Sequence, residues 1–359
     1  MAPIRLGVVG CGAIAQVHHL PNLADLQEEF EVAIVCDISP TMASQVANHY
    51  HIPRHVSDYR ELLAADIDAV LLCHSDPKAE IALAAFAAGK HVFIEKPVCF
   101  CLEQADAMIE AAQQTGKVAQ AGYMKVYDPA FELMQHHVAR MDAIRFVQIN
   151  HLHTDNQHHL AQFRLIKAND YPPAAGQAQA QARQAEFRQA IGTVAPAVER
   201  AFGVLSGSMI HDLYGLRTLM GIPQRVAAAE IWNAGEGISF ILDYPNQARC
   251  AGTWVELPHL WDFRETLEVY DESSRALLSY PTGFSRGLPS TLILQGMDAN
   301  NRAYRQEPTV DWKNPFTLEL QHFHDCIRHG TVCRTPLADA RHDVALIIDI
   351  VKTYLAANS

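Results

Sequence analysis

The chain is short of positive charge: 28 Lys and Arg stand against 40 Asp and Glu, a formal net charge of −12 over 359 residues. Binding a polyanion takes clustered cations, so nucleic acid and an anionic membrane are excluded as the main partner. No apolar run approaches the ~18 residues of a membrane span. No charged and then apolar leader precedes the first strand, which makes cytoplasm the expected location. The eight cysteines (Cys11, Cys36, Cys73, Cys99, Cys101, Cys250, Cys326, Cys333) include no C-x-x-C pair. Several sit in apolar runs, as small hydrophobes of a reducing compartment do. The histidine clusters His18-His19, His158-His159 and His322 with His324 lack metal-site partners at usable spacing, so no metal is expected. What remains, 49% apolar and 19% charged residues, suits a globular chain long enough for two domains.

What is there begins at the N-terminus. The apolar run Ile4–Val9 breaks into Gly10-Cys11-Gly12-Ala13-Ile14-Ala15 and then enters a helix. Gly10 permits the tight turn, Gly12 admits a ligand close to the backbone, and Ala15 keeps helix and strand together. The helix N-terminus then offers N–H groups to a pyrophosphate. A glycine turn of this kind also occurs for packing alone, in a nucleotide-free α/β domain. Asp37 adds weight, because it ends the apolar run Val32–Cys36 where a dinucleotide fold places an acid for the ribose hydroxyls. The expected cofactor is NAD rather than NADP. Asp37 repels a 2′-phosphate, and Ile38-Ser39-Pro40 brings no arginine to neutralise one.

Through residue 123, apolar strands (Ile4–Val9, Val32–Cys36, Ala69–Cys73, His91–Ile94, Val118–Gln120) alternate with helices (Ala13–Leu26, Met42–Tyr50, Lys78–Ala88, Leu102–Thr115). That alternation predicts a parallel sheet covered on both faces over 1–123, the part for which the family resemblance given below implies a Rossmann domain. Over 124–359 the pattern predicts an α+β domain with a mostly antiparallel open sheet. It has a helix at Pro129–Arg140 and strands at Ile144–His151, Arg225–Ile231, Ile238–Tyr244, Ala248–Val255, Glu265–Tyr270 and Ala276–Tyr280. Residues 281–315 read as a long loop, followed by helices Phe316–His329 and Ala338–Ala357. Within this half, Asp155–Leu205 reads as a helical excursion, a lid or subunit contact. Its apolar stripe runs Phe187, Ile191, Val194, Val198, Phe202, Leu205, with Pro196 starting or kinking a helix.

Three further stretches carry reactive groups: Gly89–Pro97 ending in Glu95-Lys96-Pro97, Gly122–Pro129 reading G-Y-M-K-V-Y-D-P, and Ser208-Met209-Ile210-His211-Asp212. With the glycine turn, and in this order, they resemble the glucose–fructose oxidoreductase / inositol dehydrogenase (Gfo/Idh/MocA) family of sugar and cyclitol dehydrogenases. The resemblance implies NAD(P)-dependent hydride transfer, with Lys96 between nicotinamide and substrate and His211 as general acid/base. It also implies a homo-oligomer, dimer or tetramer, built through the open sheet. A histidine titrates near neutrality and can take the hydroxyl proton, while an ammonium stabilises the alkoxide. Taken singly, His211 also reads as a helix cap and Lys96 as half of an ion pair with Glu95.

The cofactor set is then Gly10, Gly12, Ala13, Ile14, Asp37, Glu95 and Lys96, with His74 and Ser75 lining it. Ser75-Asp76-Pro77-Lys78 departs from the family's Thr-Pro-x-x-His loop. The substrate set is Lys96, Lys125 and His211, plus Tyr123, His153, Asp155 and Asn156 by their positions just beyond strands. Each of those four also reads as an ordinary polar residue. Gly207 stands where inositol dehydrogenases carry an aspartate one turn before the histidine. Asp212 adjoins His211 and does not face it, so Asp155 is the first candidate to replace the missing acid. An NAD-assisted glycoside hydrolase and a non-catalytic dinucleotide sensor are the rival readings.

Overall fold

A computed structural model describes residues 2–75 and 77–358; Asp76 lies outside them. The chain forms two compact units. The first is made of Met1–Tyr123, Phe163–Gly192 and Phe316–Val344, and the second of Met124–Gln162, Thr193–Pro315 and Ala345–Ser359.

In the first unit, β1 (Ile4–Val9), β2 (Phe30–Cys36), β3 (His55–Val56), β4 (Ala69–Leu72), β5 (His91–Glu95) and β6 (Ala119–Gly122) are all parallel. Their order, β3-β2-β1-β4-β5-β6, reverses direction between β1 and β4. Ligands of such sheets bind outside the carboxyl ends of the strands at that switch. Helices cover both faces, so the strands are apolar throughout; Val8, Leu71, Phe93 and Ile94 are fully buried. Two-residue β3 is absent from the sequence reading because it is too short to show a period. The helix expected over Ala13–Leu26 is π-helical from Ala15 to His19 before the α-helix Leu20–Asp25.

The second unit holds β7 (Phe146–His153), β8 (Arg225–Trp232), β9 (Gly237–Asp243), β10 (Arg249–Glu256), β11 (Arg264–Tyr270), β12 (Ser274–Tyr280), β13 (Thr291–Met297) and β14 (Ala303–Gln306). They lie in the order β14-β13-β12-β11-β7-β10-β9-β8. Every pair is antiparallel except β7 with β10. The sheet is therefore mixed. The stretch read as a loop over 281–315 contains β13 and β14. They escape the sequence pattern because β14, at the sheet edge, and β13 beside it have little to bury: of their side chains only Leu292 is fully covered. On the other face of the reading, Val147, Ile149, Leu267, Val269 and Leu278 alternate into the core as period-two strands should.

The excursion is not one stripe. Pro173–Ile191 forms a helix that ends at Gly192, whose φ of 77° only glycine adopts without strain. Phe187 and Ile191 are buried within the first unit. Phe187 packs edge-on against Phe100 (centroids 4.8 Å apart), and Glu186 accepts the Phe100 N–H at 3.3 Å. Val198, Phe202 and Leu205 belong to the second unit, on the helix that Pro196 opens.

Candidate active site

Each cofactor candidate in the first unit sits at or just past the carboxyl end of a strand. Gly10 follows β1 with φ 90°, and a Cβ there would lie 2.3 Å from the His74 nitrogen. The β4 end therefore passes directly over the turn, and no other residue fits. A Cβ at Gly12 would meet nothing within 4 Å, so no protein contact demands that glycine. Its bare backbone suits a pyrophosphate approaching Ala13 and Ile14 at the helix start. Asp37 follows β2, buried, with Oδ2 accepting the Cys11 N–H and Oδ1 the Ser39 N–H, both at 2.9 Å. Its carboxylate is thus aimed before any ribose arrives, and unused lone pairs remain for the hydroxyls. These residues fit a dinucleotide.

His74 lies half-buried, its Nε2 3.3 Å from the Pro77 carbonyl. Ser75 is exposed, and its carbonyl accepts Gln179 Nε2 at 3.0 Å from the Pro173–Ile191 helix. Glu95 ends β5, deeply buried. Its Oε1 meets His19 Nε2 at 2.6 Å and its Oε2 accepts the Lys96 N–H at 3.1 Å. Burial alone would raise its pKa; the hydrogen bond and charge of His19, then Lys96 and Lys78, outweigh that and hold the carboxyl below its usual range. Glu95 is therefore committed to the protein behind Lys96. Behind it lies Glu319, fully buried, with neither carboxyl oxygen hydrogen-bonded among the described residues. Burial and then the Glu95 charge push Glu319 well above the carboxylate range. The Lys96–Pro97 peptide is cis, and the Pro97 carbonyl accepts the ammonium of buried Lys78 at 3.3 Å. Lys78 was missed because a lysine after Pro77 reads as surface.

Residues 163–171 also reach this edge. Gln16 Oε1 accepts the Ile166 N–H at 2.8 Å, and Gln16 Nε2 donates to the Ile166 carbonyl at 3.1 Å. Asp170 accepts the Ser39 hydroxyl and the Thr41 N–H, at the N-terminus of the helix Pro40–His49. Those hydrogen bonds hold its carboxyl down to about 2.

The second unit carries its own polar cluster. His211 is not at a helix opening: the helix Pro196–Val204 runs through a π turn, Leu205–Met209, into Ile210–Met220. Its Nδ1 is 2.8 Å from the Tyr214 hydroxyl, whose oxygen accepts the Lys125 N–H at 3.1 Å. A Cβ at Gly207 would meet nothing within 4 Å, so packing does not forbid a side chain there. Asp212, buried, pairs instead with His151 (Oδ2 to Nδ1, 2.8 Å), and His151 Nε2 lies 3.4 Å from His153 Nδ1. His153 stacks on Trp254 with centroids 5.5 Å apart. Asp212 and His151 were not on the sequence-derived roster; an acid adjacent to His211 pointed elsewhere, and its target lies 61 residues upstream.

Two expected substrate ligands, Lys125 and Asp155, have partners within the protein. The Lys125 ammonium is buried, paired with Glu265 and 4.6 Å above the Tyr280 ring centre. Asp155 is exposed and caps the short helix Asn156–Leu160, accepting the Gln157 N–H at 2.9 Å. Asn156 opens that helix, half-buried. Tyr123, 1% exposed, follows β6 in the first unit.

Two histidines of the first unit should make the fold acid-sensitive. Burial, then the Lys78 charge, lowers His74 to about 3; burial, then Lys117, lowers His91 to about 4. Unfolded, both titrate near 6.5, so the unfolded chain takes protons first as pH falls, and stability present above about 6.5 is lost toward 4. The slope is at most about 1.4 kcal/mol per pH unit per histidine, less for half-exposed His91. Thermal melts between pH 7 and 4 should show it, and His91→Gln, which keeps an acceptor for the Val118 N–H, should flatten it. A melting temperature constant over that window would refute the assignment.

The parallel sheet, the glycine turn and the aimed Asp37 are those of a dinucleotide-binding fold. Residues 4–123 match the model of the GFO_IDH_MocA oxidoreductase family, its NAD-binding Rossmann fold. Inositol 2-dehydrogenase of Salmonella paratyphi B is 35% identical over 132 residues, 36% of this chain and 39% of the relative. The chain thus spans about two-fifths of the curated relatives it matches. Levoglucosan dehydrogenase, solved with NADH and L-sorbose, superposes with a TM-score of 0.78 at 16% identity over 99% of this chain and 98% of that one. KijD10, a 3-ketoreductase from Actinomadura kijaniata solved with NADP and TDP-benzene, gives 0.74 at 18% identity over 98% of each chain. These two likenesses establish the fold. No helix among the described residues is long and apolar enough to cross a membrane.

Proposed function

We propose that the protein is an NAD-dependent oxidoreductase that interconverts a secondary alcohol and ketone on a sugar, cyclitol or sugar derivative. The observation that carries this reading is Lys96, held by Glu95 at the end of β5, on the same sheet edge as the glycine turn of a matching NAD-binding domain. Bound nicotinamide supplies the hydride acceptor. Lys96 stabilises the alkoxide as the carbinol loses its proton, and His211 takes that proton. With Nδ1–H donating to Tyr214, the Nε2 of His211 is left as the base. The hydroxyl of Tyr214, itself fixed by the Lys125 N–H, then does what the absent aspartate does elsewhere: it orients the ring, without stabilising its charge.

Tyr214→Phe removes that hydrogen bond and keeps the packing. It should lower kcat about tenfold, the worth of one such bond, move the acidic limb of the kcat profile, and leave KM nearly unchanged. An unaltered pH profile would count against the role. A second acid/base reading rests on the Asp212–His151–His153 chain, which could carry a proton to His153.

The class of reaction is tested by incubating the protein with NAD and a panel of polyols, cyclitols and sugars, read as NADH absorbance. Turnover of one of them supports the reading. Glycoside cleavage without net NADH would identify the hydrolase instead, and NAD binding with neither activity would identify a sensor. The expected homo-oligomer would bury apolar groups such as Trp261 and Trp312, now 75% and 89% exposed; a monomer in solution scattering would refute it.

A further inference from the structure

The helix Pro315–His329 places His322 and Cys326 one turn apart on one face, and the chain returns after Gly330 to set Cys333 beside them. Cys326 Sγ lies 3.4 Å from His322 Nε2, and the three donor atoms are all within 4.8 Å of one another. Cys326 is buried, and His322 and Cys333 are half-buried. We propose that His322, Cys326 and Cys333 bind one zinc ion, apart from the reaction site, with a fourth, non-protein ligand such as water.

The separations are those of metal ligands. Zinc takes Cys sulfur at about 2.3 Å and His nitrogen at about 2.0 Å in a tetrahedron, which sets S and N about 3.5 Å apart. The two sulfurs are free thiols, not joined to each other. The other groupings of candidate ligands are less suited. In one, Glu265 already faces the Lys125 ammonium; in another, Glu95 is spent on His19; His324, Asp325 and His329 are partly exposed and offer no sulfur. Two thiolates and an imidazole select a borderline-soft cation over Mg²⁺ or Ca²⁺. Binding displaces the two thiol protons. The Arg334 N–H, now donating to His322 Nε2 at 2.9 Å, must then exchange that acceptor for another, and the sulfur of Cys333 is next to it.

The ion would act as a staple. Just past Cys333, the Thr335 carbonyl accepts the Ala121 N–H and its hydroxyl donates to the Ala121 carbonyl, both at 2.8 Å, and Pro336 bridges Gln120. These bonds pin the return segment along β6, the edge strand that leads into Tyr123. Closing the loop from Cys326 to Cys333 on a metal would hold that segment in place when the edge would otherwise fray.

The test uses the full chain without a histidine tag, purified under reducing conditions. Atomic emission should find one zinc per chain. Cobalt substitution should give the intense visible bands and thiolate-to-cobalt charge transfer of a tetrahedral sulfur site. Cys326→Ser/Cys333→Ser should abolish both, and a chelator should lower the melting temperature of the parent but not of the variant. If the double variant does not fold, His322→Ala and the cobalt spectrum of the parent decide the matter. A parent chain with neither zinc nor a cobalt–thiolate band, equal zinc content in parent and variant, or a Cys326–Cys333 disulfide persisting in reductant would each overturn the proposal.

Discussion

Lys96→Ala and His211→Ala are each expected to lower kcat by about 10² to 10⁴, the usual worth of a positioned acid/base, with the Kd for NAD changed only a few-fold. Cofactor affinity should survive because the glycine turn and Asp37, on other strand ends, hold the dinucleotide. The double variant should lose less than the product of the single losses, since an alkoxide that is never formed needs no stabilising. The two positions differ in pH behaviour. Without His211 the rate should rise toward high pH, where hydroxide and water take over the proton; without Lys96 no such rescue follows. If His211→Ala keeps near-full activity on the true substrate, the role passes to His153, and Asp212→Asn, which breaks the chain behind it, becomes the decisive variant.

The second large effect concerns the 2′ position of the adenosine ribose. Two carboxylates stand at the end of β2: Asp37, aimed by two main-chain amides, and Asp170, which occupies Ser39 and Thr41 at the N-terminus of the next helix. A helix N-terminus is where a 2′-phosphate would find its donors, and here an acid already holds them. NAD should therefore be preferred over NADP by about 10²-fold or more in kcat/KM, since like-charge juxtaposition costs several kcal/mol. Asp37→Ala should remove most of that preference, chiefly by weakening NAD. Asp170→Asn keeps an acceptor for the Thr41 N–H, turns the other atom into a donor toward the Ser39 hydroxyl and removes the charge, and should narrow the preference about tenfold through better use of NADP. Equal kcat/KM for the two cofactors in the parent protein would end the argument.

The Rossmann half was legible because its signals are local. A glycine that must turn, an acid at the next strand end and unbroken apolar runs all sit within the stretch they describe. The same holds for Pro196, which opens its helix as a proline at the first position should. What stayed hidden depends on contacts between distant residues. Asp170 lies 131 residues from Ser39, and nothing in the intervening helix-rich segment announces that it folds back. Asp212 finds His151 across 61 residues. The i,i+4 spacing of His322 and Cys326 could have been read on a helix, but Cys333 joins them only through the turn at Gly330. The strands β13 and β14, at one end of the sheet, were lost because turn residues crowd around them and few of their side chains alternate into a core.

The π turn at Leu205–Met209 frees the phase of His211 from the length of the segment before it. A regular helix advances about 100° and 1.5 Å per residue, so the wider turn absorbs one residue that an α-helix would not. Deleting a single residue there, Gly207 for instance, would let the turn close to α-helical hydrogen bonding. His211 and Tyr214 would then keep nearly the same bearing against the helix that precedes them, because the wider turn had already taken up the extra residue. A helix can in this way take up a one-residue insertion without re-aiming the face beyond it, and any gapless pairing of such helices will match residues that do not occupy the same place in space.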